Sequence, residues 1–138
     1  MEKTLPRGIR NNNPLNIRIG NAWQGEVEKP TDTEFEQFVS MFYGCRAAYI
    51  ILKRYMTRYK LVTITDIISR WAPASENNTR RYIDAVVEHT GYSAQKELDF
   101  CNADHMIRLF EAMSLVECGE IIPLEVVSAA YHAVSESR

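Results

Sequence analysis

The sequence predicts a mainly α-helical fold of about five helices, with a small β-hairpin lobe near the start of the chain. From Ser40 onward, apolar residues recur at steps of three and four, which is the spacing of one face of a helix. Before Ser40, the chain is rich in Asn, Gly and Pro, which is typical of turns and short strands. No repeat, linker or low-complexity tract interrupts the 138 residues, so we expect a single domain over 1–138.

The early segment contains two short runs that predict small strands, 15–19 and 34–39, with a hairpin around Trp23. Three acids alternate near the second run and would share one face of that strand, namely Asp32, Glu34 and Glu36. These acids form either a solvated face or the source of a second carboxylate for a reaction.

The first predicted helix carries an apolar stripe formed by Phe42, Cys45, Tyr49, Leu52, Met56 and Tyr59. The second covers 63–71, with Ile64, Ile67, Ile68 and Trp71 pointing inward. It ends at Ala72, because the residue before a proline is pushed out of the helical conformation. The third covers 75–89, and Gly91 is placed to terminate it.

Residues typical of helix ends delimit the last two predicted helices. Asn102 is a good N-cap for a helix that runs to Glu117 or Cys118, with Gly119 as its stop. Pro123 is expected at the first position of the final helix, which would bury Leu124, Val127, Tyr131 and Val134.

Composition narrows the function classes. Hydrophobic residues make up 46% and charged residues 25%, and the net charge of −2 gives no general attraction for nucleic acid or an anionic membrane. No hydrophobic signal segment or bilayer-length apolar run is present, so we expect synthesis in the cytoplasm without a signal peptide, and no membrane partner. The three cysteines and three histidines show no ligand spacing, so no metal or other cofactor is predicted.

A carboxylate closes the apolar stripe of the fourth predicted helix. Met106, Phe110, Met113 and Glu117 recur at helical spacing, so the Glu117 carboxyl is expected on the core-facing side. Burial disfavours the charged form of a carboxyl and raises its pKa, which suits a general acid in glycoside cleavage at neutral pH. The alternative is a helix-end Glu that faces solvent or pairs with Arg108.

An asparagine-rich turn near the start of the chain offers several side-chain amides. Those of Asn12, Asn13 and Asn16 either hydrogen-bond sugar hydroxyl and acetamido groups or fix a structural turn. Among the aromatic residues, Trp23 in the adjacent loop is the expected platform for a sugar ring, whereas Trp71 is expected to close the core.

A series of motifs resembles a family of phage virion-associated, lysozyme-like proteins. The motifs are Arg-Gly-Ile-Arg-Asn-Asn-Asn-Pro at 7–14, Trp-Gln-Gly at 23–25, Phe-Glu-Gln-Phe at 35–38, Gly-Cys-Arg-Ala at 44–47, and Ile-Ser-Arg-Trp-Ala-Pro-Ala-Ser-Glu-Asn-Asn-Thr at 68–79 followed by Tyr82. The likeness covers roughly residues 7–119. It implies a lysozyme-like fold with a cleft between the lobe and the helices, and binding to the glycan strands of peptidoglycan.

The segment around Glu117 resembles the Glu-Ser-Gly motif that ends the catalytic helix of lytic transglycosylases and lysozyme-like glucosaminidases, with Cys118 in place of the usual serine. In those enzymes the Glu precedes both an Asn-rich segment and a Tyr-x-x-x-Val helix. Here it follows both, the second being Tyr82 to Val86. This order implies a circular permutation, which is tolerated when chain termini lie close together. The only acid ahead of the Asn-rich turn is Glu2, near the chain end, so Glu117 is the expected catalytic acid.

The resemblance implies a muramidase or lytic transglycosylase that cleaves between N-acetylmuramic acid and N-acetylglucosamine with Glu117 as its single general acid. Tyr82 would support Glu117, and the sugar subsites would be lined by Asn12, Asn13, Asn16 and Trp23. Action at the cell wall would follow delivery by a virion, a holin or a secretion machinery, with other virion or baseplate proteins as partners.

Two alternatives remain open at this point. The first is a non-catalytic virion or baseplate protein that keeps the glycan-binding fold. The second is a nucleic-acid-binding module that uses a basic face of Arg46, Lys53, Arg54 and Arg58 with Arg80 and Arg81, against which the net negative charge argues.

Overall fold

Six α-helices account for about half of the residues that the computed structural model describes, which are 4–75 and 77–137. Their bounds are Arg7–Arg10 (α1), Met41–Lys53 (α2), Ile64–Trp71 (α3), Thr79–Thr90 (α4), Ala103–Cys118 (α5) and Leu124–Ser135 (α6). The mainly helical prediction is therefore confirmed. Glu2 and Glu76 lie outside the described residues. Among the described helices, none has the length and apolar character that crossing a membrane requires.

The helix ends follow the expected capping chemistry, with two shifts in position. Asn102 accepts a hydrogen bond from the His105 amide, and Gly119 ends α5 in the left-handed conformation with φ of 75°. The predicted start of the third helix at residue 75 is wrong, because Ser75 lies in a turn and Asn78 caps α4. Pro123 flanks α6 instead of opening it, since its ψ of 132° is not helical.

The core forms where α2 packs against α6 and α5. Its centre is an aromatic cluster around Tyr49, whose ring stacks on Phe110 with centroids 5.0 Å apart and meets Tyr131 edge-on. Two residues predicted to be buried are not, because Leu124 is 60% exposed at the start of α6 and Tyr59 is 48% exposed. A π-helical turn, Arg54–Arg58, follows α2. It interrupts the regular helical spacing, so Tyr59 at the end of the predicted apolar stripe does not face the core.

The predicted β-hairpin lobe is wrong. The segment before α2 contains only two isolated antiparallel bridges among the described residues, Arg18 with Phe35 and Glu26 with Phe38. The 34–39 run changes partner midway: Glu36 N bonds to Ile17 O, whereas Val39 N bonds to Gly25 O. Neither pairing is long enough to form a ladder, so residues 11–40 form a loop lobe instead.

Candidate functional site

Glu117 occupies the second-last position of α5 and faces a groove between the loop lobe and the helices. The three residues before it on the predicted stripe, Met106, Phe110 and Met113, are fully buried, so the sequence placed Glu117 on the correct side. The groove has a volume of about 420 Å³, within the roughly 300–1,000 Å³ of ligand pockets. Its walls are lined from the lobe by Asn16, Ile17, Arg18, Asn21 and Phe35, and from the helices by Ile51, Tyr55, Arg70, Trp71, Ala72, Pro73, Asn77 and Glu117.

Three side-chain donors hold the Glu117 carboxyl. Asn16 Nδ2 donates to Oε1 at 3.1 Å, while Tyr82 OH at 2.9 Å and Trp71 Nε1 at 3.2 Å both donate to Oε2. Burial raises the pKa of Glu117 above its usual value, although these three hydrogen bonds and the charge of Arg18 act in the opposite direction. The group is therefore a carboxyl fixed in one orientation whose protonated form is favoured by its surroundings.

Asn16 reaches Glu117 from 101 residues away in the sequence because the lobe packs tightly on the end of α5. Asn16 Nδ2 also donates to the Glu117 backbone oxygen at 3.0 Å. Gly8 of α1 permits this approach, since an added Cβ would lie 3.1 Å from both Asn16 Oδ1 and the Cβ of Cys118. Asn16 itself has φ of 53°, a left-handed conformation that Asn tolerates better than most residues.

Asn12 and Asn13 lie away from the groove, contrary to the predicted sugar-binding role. Asn13 is fully buried, and its amide bonds the backbone oxygens of Ile17 and Glu36 while its Oδ1 accepts from the Ile17 amide. Asn12 Nδ2 donates to the Phe38 oxygen. Both side chains are occupied in fixing the lobe, so for these two residues the structural-turn alternative is correct.

Both tryptophans pack against the core, but Trp71 and not Trp23 reaches the groove. Trp71 lines the groove and bonds Glu117, because it is the last residue of α3 and extends from the edge of the core. Trp23 does not line the groove, and its half-buried ring packs against the core. Gly25, with φ of 87°, lets this loop lie directly against the side chain of Tyr43, which an added Cβ would overlap.

Tyr82 is 6% exposed and lies beneath the groove instead of on its wall. Its hydroxyl is within hydrogen-bond distance of Glu117, and burial raises the pKa of the phenol well above its usual value, so it stays a neutral donor. A side chain so deeply buried can orient Glu117 but cannot contact a sugar acetamido group.

The three early acids do not share a face, contrary to prediction, and none lines the groove. Asp32 forms a two-point ion pair with Arg7, which holds the pKa of its carboxyl far below the usual range. Glu34 is exposed, and Glu36 is buried beside Glu26. Among the described residues of the groove wall, Glu117 is the single carboxylate.

Sequence reasoning missed the two arginines of the groove wall. Arg18 lies two residues after Asn16, and Arg70 directly precedes Trp71. Both arginines could have been noticed because each lies close in the sequence to a residue that had already been predicted to matter. Within the described residues, no group of three or more His, Cys, Asp or Glu side chains forms a metal site.

Comparison with known proteins finds similarity to a phage protein. The chain is 44% identical to Protein P5 of Pseudoalteromonas phage PM2 over 97 residues. This chain is related to a phage protein. The match covers 67% of this chain and 61% of the phage protein, so the chain spans about three-fifths of that relative's length. No family model matches the chain. The predicted phage association is thereby supported.

Proposed function

We propose that this protein is a lysozyme-like domain that binds peptidoglycan glycan strands and cleaves the bond between N-acetylmuramic acid and N-acetylglucosamine. The observation that carries the proposal is the Glu117 carboxyl, which opens onto a groove while burial raises its pKa. A carboxyl kept protonated near neutral pH is what a glycosidic general acid requires.

The hydrogen bonds indicate which oxygen carries the proton. Oε2 accepts from both Tyr82 and Trp71, so both of its in-plane lone pairs are occupied. Oε1 accepts only from Asn16 and retains a position for the proton. Glu117 transfers that proton to the glycosidic oxygen as its bond to the sugar C1 breaks, and the leaving sugar departs as a neutral alcohol. Asn16, Trp71 and Tyr82 are positioning residues in this step.

The positive charge that develops on the sugar ring is discharged by an oxygen nucleophile that bonds to C1 and returns its proton to the Glu117 carboxylate. With a single carboxylate among the described groove residues, the two routes are attack by water and attack by the substrate's own 6-hydroxyl. Water gives a new reducing end, whereas the 6-hydroxyl gives a 1,6-anhydro end. Lytic transglycosylases, which the Glu117 motif resembles, use the second route.

Groove residues other than those predicted would contact the sugars. The exposed amides of Asn21 and Asn77 take the hydrogen-bonding role expected of Asn12 and Asn13, and the Trp71 ring takes the stacking role expected of Trp23. Asn16 keeps a place at the site through Glu117.

The biological setting follows from the motifs and from the phage relative. We expect action at the bacterial cell wall after delivery by a virion, a holin or a secretion machinery, with other virion or baseplate proteins as neighbours. The order of motifs corresponds to a circularly permuted arrangement of the lysozyme-like fold.

The test is to incubate the protein with purified peptidoglycan and identify the released fragments by mass spectrometry. Wild type should release muropeptides with either reducing or 1,6-anhydro muramic acid ends, whereas Glu117→Gln should not. Glu120→Gln is the matched control, because it removes an exposed carboxylate three residues away that does not line the groove. No release by a folded wild-type protein would overturn the proposal and favour a non-catalytic virion protein.

A further inference from the structure

Two guanidinium groups face the groove from opposite walls. Arg18 extends from the loop lobe and Arg70 from the end of α3, and both line the same groove as Glu117. The whole chain carries a net charge of −2, so this positive groove is a local feature that composition does not predict. When Glu117 is protonated for its proposed role, the described groove wall holds two positive charges and no negative one.

Aromatic rings hold both guanidinium groups in place. The Arg18 Cζ lies 5.1 Å from the centre of the Phe35 ring, and the Arg70 Cζ lies 5.8 Å from that of Tyr55 and 5.6 Å from that of Tyr59. Such contacts orient a planar cation and leave its edge donors available to an incoming group.

Neither arginine is neutralised by a close ion pair within the described part of the chain. Within 4 Å, Arg18 has one described acidic partner, Glu34, with Nη1 3.9 Å from Oε2, and both side chains are more than half exposed. No described carboxylate lies within 4 Å of the Arg70 guanidinium. A neutral glycan offers these two cations hydroxyl and acetamido oxygens but no opposite charge, whereas a carboxylate matches the guanidinium geometry with two parallel, charge-assisted hydrogen bonds.

We propose that Arg18 and Arg70 form an anion-binding site that selects glycans bearing carboxylates, which peptidoglycan carries on its stem peptides or, where a peptide is absent, on the freed lactyl group. The inference rests on the proposed function for the choice of a glycan as ligand. It adds a specificity: neutral polymers of N-acetylglucosamine bind more weakly than acidic strands of the same length.

Binding, not cleavage, tests this site. In the Glu117→Gln background, where the ligand stays intact, isothermal calorimetry compares a peptidoglycan tetrasaccharide with its stem peptides against the same compound after its carboxyl groups are amidated. We expect the acidic form to bind roughly five- to twentyfold more tightly. Arg18→Gln and Arg70→Gln should each reduce that preference, whereas Arg81→Gln, which changes an exposed arginine outside the groove, should not.

A third ligand distinguishes the source of the carboxylate. Removing the peptides leaves only the lactyl carboxylate on each muramic acid. Affinity equal to that of the amidated ligand assigns the arginines to the peptide carboxylates, and affinity above it shows that they also bind the lactyl carboxylate that peptide removal frees.

Equal affinity for the acidic and amidated ligands, or no binding of either, would overturn the inference. The proposed function fails separately. If wild type cleaves peptidoglycan but shows no charge preference, only the anion site is wrong. If the charge preference is present but wild type releases nothing, only the cleavage proposal is wrong.

Discussion

At the scale of single residues, the chemistry of the groove depends on how two effects balance on one carboxyl. Burial favours the protonated form of Glu117, while the three side-chain donors favour the carboxylate. The net result is a raised pKa, so a proton remains available at a pH where an exposed Glu would have lost it. Each donor also fixes the direction in which that proton is presented.

Removing one donor should therefore raise the pKa of Glu117 further. Tyr82→Phe deletes the hydroxyl that lies 2.9 Å from Oε2 and keeps the buried ring. We expect the pKa of Glu117, measured by carbon NMR titration of its carboxyl, to rise by roughly 0.5–1 pH unit. Tyr92→Phe, whose hydroxyl donates to Asp104 outside the groove, is the control. An unchanged or lowered Glu117 pKa in Tyr82→Phe would contradict the described hydrogen bond.

The sequence predicted the position of the acidic residue, Glu117, more accurately than it predicted the roles of the residues around it. Helical spacing was sufficient for Glu117, because one face of a regular helix is set by local geometry. It was incomplete for Trp71, which packs against the core as its apolar stripe predicts but, at the end of α3, also lines the groove. The roles of Asn13 and Asn16 depend on which distant part of the chain each amide meets, and residue type carries no such information.

At the scale of elements, the loop lobe holds its shape by side-chain amides and by close contact with α2 and α5. The backbone of Asn12 crosses α2 at Gly44, where an added Cβ would overlap the Asn12 carbonyl oxygen. The adjacent turn places the Asn16 side chain within hydrogen-bond distance of Glu117. The position of the lobe on the helices thus determines whether the site is assembled.

Gly44→Ala tests this dependence. The new methyl group must displace the lobe backbone, so we expect the free energy of unfolding to fall by about 2–4 kcal/mol, measured by urea denaturation. Gly20→Ala is the matched control, because nothing lies within 4 Å of a Cβ there and we expect little change. Equal stability of the Gly44→Ala and wild-type proteins would show that the lobe does not pack on α2 as described.

Helices were predictable and the lobe was not, for a physical reason. The ends of α4 and α5 are marked by residues that act locally, such as Gly91 and Asn102. The lobe has no comparable local signal, because the backbone hydrogen bonds between its two halves join residues 10–27 positions apart and the run 34–39 changes partner partway. Alternating residues suggested a strand there, but pairing over only two or three residues cannot build one.

At the scale of the whole molecule, stability should depend on pH through a buried carboxyl pair in the lobe. Glu36 is 7% exposed and lies against Glu26, so the two carboxyl groups can share a hydrogen bond only when one of them is protonated. Burial, together with the hydrogen bond and charge of Glu26, raises the pKa of Glu36 from 4.5 to about 7. The folded state therefore favours the protonated form.

The sign of the effect follows from linkage. Stabilisation by protonated Glu36 is complete below about pH 4.5 and is lost as the pH rises to about 7. Glu36→Gln mimics the protonated form, so at pH 8 it should increase the free energy of unfolding by roughly 1–3 kcal/mol, with little effect at pH 4.5.

Urea denaturation at both pH values measures this effect, with Glu28→Gln as an exposed-carboxylate control. If the free energy of unfolding changes by the same amount between pH 4.5 and pH 8 in Glu36→Gln and in wild type, Glu36 is not the cause of that change.

Catalysis by Glu117 is tested most directly by the ratio of two rates. The rate of muropeptide release from purified peptidoglycan by wild type, divided by that of folded Glu117→Gln, should be roughly 10² to 10⁴. Glu120→Gln should differ little from wild type. A Glu117→Gln protein that cleaves within tenfold of the wild-type rate would contradict a general-acid role for this carboxyl.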